Sequence, residues 1–141
     1  MINFYTEDTN PIPIDEQKTT AWLMSMVKAE NKQLEEVNYI FCSDSYLLKI
    51  NQEYLDHDYY TDIITFPYSY QPIKSDIYIS VDRVTENAVT EKVSFTQELH
   101  RVLVHGLLHM CGYDDHDSDS RTAMRKKEDH YLSLIDPIDQ V

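Results

Sequence analysis

Apolar positions along this chain repeat with two different periods. Between Asp15 and about Glu30, Trp22, Leu23, Met26 and Val27 recur at the spacing that lines one face of a helix. Short runs rich in β-branched and aromatic residues, Val37 to Cys42, Ile63 to Phe66 and Ile77 to Val81, suit strands instead. The opening segment also reads as a strand, joined to the first helix by the extended Pro11-Ile12-Pro13 connector. Further helices are predicted over Ser45 to about Tyr54 and from Val84 through Ala88. Another starts at Ser94, which forms a capping-box pattern with Gln97, and runs through Leu99, Val102, Leu103 and Leu107 toward Met110. Gly112 stands where a left-handed residue closes a helix. A last helix begins around Asp117 to Ser120 and carries Ala123, Met124, Lys127, Tyr131 and Leu134, with Pro137 after its end. Strands and helices mixed without strict alternation predict an α+β fold.

The length of 141 residues predicts a single domain over residues 1–141. Charge narrows the partners, because 25 acidic against 12 basic residues give a net charge of −13 that opposes nonspecific attraction to nucleic acid, DNA included, or to an anionic membrane, so a polyanionic substrate needs a local exception. No apolar run approaches the ~18 residues of a membrane span, and the start lacks the basic flank of a signal peptide, so a cytoplasmic protein is expected. Cys42 and Cys111 read as reduced, partly buried thiols rather than a disulfide.

Candidate chemistry is concentrated near one glycine-closed helix end. Four of the six histidines fall between His100 and His116. His105 and His109 are four positions apart, so their imidazoles stack on one helix face, the geometry a tetrahedral zinc takes from a helix. Beyond Gly112, the residues Asp114, Asp115, His116, Asp117 and Asp119 offer a third ligand. Three protein ligands leave a coordination position open, which suits hydrolysis better than a structural site. His57, His100 and His130 read individually as surface or capping residues. Gly106 occupies the position at which zinc peptidases carry their glutamate base, so peptide hydrolysis would need another base, for which Glu98 is on the same helix face.

The segment HGLLHMCGYD, His105 to Asp114, resembles the HGxLHxxGYDH signature of the YbeY family of rRNA maturation endoribonucleases. Asn51-Gln52-Glu53-Tyr54, Asp58 and Thr61 to Pro67 are similar to a second block of that family. Asp76 to Ser80 with Asn87-Ala88, and Glu98 to Val102, are similar to further ones. The resemblance implies a zincin-like α+β fold with a mixed sheet of about four strands under surrounding helices, and one zinc ion held by three side chains. It further implies cleavage of single-stranded RNA in small-subunit rRNA 3′-end maturation and ribosome quality control, with rRNA and the small ribosomal subunit as partners.

His105 and His109 match the first two ligands of the resemblance. An ungapped count places the third on Asp115, an acceptable carboxylate donor, with His116 one residue later as the alternative. The family's arginine falls on Leu55, which cannot bind phosphate, and its lysine on His57. Arg83, Arg101 and His57 are the substrate-binding candidates, and Arg125-Lys126-Lys127 reads as a solvated helix face. A rival reading is a noncatalytic ribosome assembly factor whose zinc is a structural staple.

Overall fold

The computed structural model describes residues 1–56 and 60–135. Its elements run β1 (Ile2–Thr6), α1 (Glu16–Ala29), β2 (Leu34–Cys42), α2 (Asp44–Leu55), β3 (Ile63–Tyr70), β4 (Ile73–Ser80), α3 (Val81–Glu91), α4 (Phe95–Met110) and α5 (Ser118–Leu132). The strands form one mixed sheet in the order β1-β2-β4-β3, parallel across β1–β2 and β2–β4 and antiparallel across β3–β4. This is the α+β arrangement expected from the chain pattern.

Side chains alternate across the sheet, and each face collects its own core. Val37, Tyr39, Phe41, Ile77 and Ile79 pack with α1, α4 and α5, whereas Cys42 and Ile64 pack with Leu47 and Ile50 of α2. Two buried hydrogen bonds tie the layers together: the Tyr39 hydroxyl donates to the Leu103 carbonyl at 2.9 Å, and Trp22 Nε1 donates to the Tyr131 carbonyl at 2.8 Å. Both cysteines are buried free thiols.

Several boundaries differ from the sequence pattern. β2 begins at Leu34 rather than Val37, and β3 continues through Pro67 to Tyr70. Proline is tolerated there because β3 is an edge strand, and the ladder shifts register between Pro67 and Ser69. Val81 opens α3 instead of closing β4, since the Ser80 hydroxyl caps that helix by accepting from the Arg83 amide at 3.2 Å. On α5 the buried stripe is Met124, Glu128 and Tyr131, whereas Ala123 is exposed and Leu134, also exposed, lies beyond the helix end at Leu132. His100 is not a surface residue: it is buried with its ring 5.2 Å from Trp22, because α1 covers that side of α4.

Two glycines set the position of α4. A Cβ on Gly106 would meet Ile63 Cδ1 at 2.9 Å and Ile77 Cγ2 at 3.2 Å, so the missing side chain lets the helix settle onto β3 and β4. At the other, Gly112 has φ +106°, and its amide donates to the His109 carbonyl while the Tyr113 amide reaches the Leu108 carbonyl. That pair of bonds is the Schellman closure, which turns the chain back along α4.

Nothing lies within 4 Å of a Cβ built on Gly112, so Gly112→Ala should cost only backbone strain. The expected loss is about 1–2 kcal/mol in urea melts at unchanged m-value. Wild-type stability in the variant would contradict this account of the bend.

Candidate metal centre

The helical spacing in α4 and the bend after it converge on one small cluster. His105 Nε2 and His109 Nε2 are 3.1 Å apart, and Asp115 Oδ2 is 3.4 Å from the first and 3.8 Å from the second. Tetrahedral bonds of ~2.0–2.1 Å would space three donors by roughly 3.4 Å, close to these separations. Among the described residues this His-His-Asp group is the one cluster of metal-ligating side chains. His116 is exposed and borders the groove beside His109 rather than joining the group.

The remaining ring nitrogens explain why the Nε2 atoms converge. His105 Nδ1 is 2.7 Å from Glu128 Oε2, and His109 Nδ1 is 2.9 Å from the Tyr113 carbonyl oxygen. Burial works to raise the Glu128 pKa, but hydrogen bonds and charge from His105 and Arg101 outweigh it and hold the acid below its usual range. A carboxylate and a carbonyl can only accept, so both Nδ1 atoms carry the proton. Each Nε2 of a neutral ring therefore aims a lone pair at the other, an arrangement that needs a cation or a shared proton between them. The donor set of two imidazoles and a carboxylate fits zinc.

The titration of the pair follows the same geometry. Burial opposes charge on His105, yet the hydrogen bond and charge of Glu128, with Asp115 and Asp62 behind it, raise its pKa above the ordinary value. His109 is lowered, first by burial and then by the neighbouring His105. When His105 is protonated, its Nε2 proton can bridge to His109 Nε2 at 3.1 Å, in the position a cation would take.

Two clefts flank the cluster. On the His105 side, about 260 Å³ is bordered by Asp62, Glu98, Arg101, Asp115, Arg121 and Arg125, among others. On the His109 side, about 500 Å³ runs along β3 past Ile63, Thr65, Pro67 and Tyr70 to Tyr113 and His116. Burial raises the carboxyls of Asp62 and Glu98, with His105 and Arg101 respectively opposing it.

The structure places the sequence candidates unevenly. Arg101 lines the His105 cleft, but its guanidinium is held by Glu128 at 2.8 Å and Asp129 at 2.7 Å. Arg83 is held by Asp44 at 3.0 Å and lies over the Tyr60 ring. Leu55 ends α2 and is exposed, and His57 lies outside the described residues, as do Asp58 and Pro137. Of the four arginines, Arg121 is the one with no carboxylate partner within 4.0 Å among the described residues; it donates instead to the Asp115 carbonyl at 3.5 Å.

Sequence reasoning gave no role to Glu128, Asp62 or Arg121. A signal for Glu128 existed, since it falls four residues after Met124 and three before Tyr131, on the buried stripe of α5.

A family model described as Endoribonuclease YbeY matches residues 3–136. Endoribonuclease YbeY of Flavobacterium psychrophilum is 53% identical over 115 residues, 81% of this chain and 82% of that protein. Endoribonuclease YbeY of Cytophaga hutchinsonii is 49% identical over 135 residues, 94% of each. The solution structure of TM1509 from Thermotoga maritima superposes with a TM-score of 0.70 at 28% identity, covering 96% of this chain and 89% of that one.

A metal ion such as zinc entering this cluster would have to displace the proton that His105 takes up, so its affinity should depend on pH. Because His105 is raised above the ordinary 6.5, zinc affinity should climb by about tenfold per pH unit below its folded pKa and level off above it. In the metal-free protein the same shift adds stability that is full below 6.5 and lost as pH rises through the folded value. Competition titrations between about pH 5.5 and 9 check the first statement, and an affinity that does not change with pH would contradict it.

Proposed function

This chain belongs to the YbeY endoribonuclease family and hydrolyses RNA internally, and on that premise we propose that it cuts single-stranded RNA at a zinc ion held by His105, His109 and Asp115. The observation carrying this reading is the convergence of two Nε2 lone pairs and a carboxylate oxygen, with both Nδ1 protons already committed to acceptors. When bound, the ion supplies Lewis acidity toward water and the phosphoryl oxygen.

The protein's own groups do the rest. Asp62, raised by burial in the wall of the His105 cleft, accepts the proton released by the attacking water. Arg121, and Arg125 with only a long 4.0 Å contact to Asp129, contact phosphates from the same rim, a role that Arg101 and Arg83 fill poorly because carboxylates hold them at 2.7–3.0 Å. The groove along β3 takes the unpaired strand, and the exposed ring of Tyr70 with Tyr113 offers faces for its bases. Glu98, buried and raised, lines the same cleft as Asp62 and is a second proton acceptor.

The family supports a finer assignment: maturation of the small-subunit rRNA 3′ end and ribosome quality control, in the cytoplasm, with the small ribosomal subunit as partner. Endoribonuclease relatives covering most of the chain favour this over the noncatalytic assembly factor. No helix among the described residues is long and apolar enough to cross a membrane.

His109→Ala and Asp115→Ala should each slow cleavage of single-stranded RNA by more than about a hundredfold, beyond the loss typical when a residue that only hydrogen-bonds to a ligand is changed, while His116→Ala stays near the wild-type rate. A chelator should abolish cleavage and zinc restore it. Arg121→Ala and Arg125→Ala should each flatten the salt dependence of RNA binding by about 0.7 in log–log slope. Wild-type cleavage by His109→Ala would overturn the proposal.

A further inference from the structure

We propose that Glu128 is a positioning residue that fixes the tautomer and rotation of His105, and that Arg101 acts through it rather than on RNA. The inference rests on His105 being a metal ligand, as proposed above. Glu128 is 5% exposed and uses both carboxylate oxygens, Oε2 accepting from His105 Nδ1 at 2.7 Å and Oε1 accepting from Arg101 Nη1 at 2.8 Å. Arg101 is anchored in turn by Asp129 at 2.7 Å. Arg101 and His105 stand one turn apart on α4, so the two residues straddle a single carboxylate delivered by α5.

The two histidines are held by different means. His109 donates to a main-chain carbonyl that the helix closure fixes, so no side chain sets its orientation. Among the described residues, Glu128 is the one acceptor for His105 Nδ1. Without that acceptor its ring can rotate by half a turn or move its proton to Nε2, and either change withdraws the lone pair from the cluster. Docking of α5 through Met124 and Tyr131 thereby becomes a condition for a competent ligand on α4.

The test compares zinc affinity, by competition with a chromophoric chelator, with the ¹⁵N shifts of the histidine rings in metal-free protein at alkaline pH. Wild type should show His105 with its proton on Nδ1 alone. Glu128→Ala and Glu128→Gln should show mixed tautomers at His105, an unchanged His109, and zinc binding weakened about 10–100-fold. Arg101→Leu, which leaves the carboxylate but frees it, should weaken zinc less than Glu128→Ala. Should circular dichroism show Glu128→Ala unfolded, Glu128→Gln and Arg101→Leu decide the matter. Affinity within twofold of wild type in the folded Glu128 variants, with binding lost in His109→Ala, would overturn this inference alone; unchanged binding in His109→Ala would overturn the metal reading beneath it.

Discussion

Two imidazole nitrogens that both present lone pairs cannot rest 3.1 Å apart unless positive charge lies between them, and the architecture around α4 maintains that convergence. The constraint is electrostatic and local: a carboxylate on one side and a carbonyl on the other take the Nδ1 protons, leaving Nε2 of each neutral ring with nothing to donate. A shared proton can satisfy the pair, and a divalent cation with Asp115 as third donor can replace it. Affinity for the ion and for the proton are thus two outcomes of one geometry.

Distant parts of the chain hold that geometry in place. The absent side chain at Gly106 brings α4 against Ile63 and Ile77, which sets the pair beside the edge strand where a groove opens. The Gly112 closure returns Tyr113 and Asp115 to the same end of the helix. Glu30, at the end of α1, accepts from the hydroxyls of Tyr113 and Tyr131 and from Lys127 at 3.1 Å, so the bend, α1 and α5 share one acceptor. Asp117 caps α5 reciprocally with Ser120 and fixes where that helix begins. Removing α5 would leave His105 without its acceptor as well as uncovering the core.

What could be read from the chain follows from how local each interaction is. The His105–His109 pair was legible because an interval of four residues on a helix determines relative position without tertiary information. The same holds for the Ser94–Gln97 box and for Gly112, both found as expected. The ion pairs of Arg83 and Arg101 were not legible, since a cation's availability depends on which carboxylates the fold brings near, and Asp44 and Glu128 lie 39 and 27 positions away. His100 looked like a surface residue because nothing in α4 alone announces the ring of Trp22. The ungapped count favoured Asp115 over His116, and the bend brings Asp115 rather than His116 up to the pair, along a path that spacing alone does not encode. Proline at position 67 concealed the length of β3, since its tolerance depends on the strand being an edge.

Zinc-edge anomalous diffraction from crystals grown with the metal tests the central claim most directly. The account predicts one strong peak within about 2.0–2.2 Å of His105 Nε2, His109 Nε2 and an Asp115 oxygen, with His116 turned away. A peak ligated through either Nδ1, or one bound to His116 in place of Asp115, would contradict it.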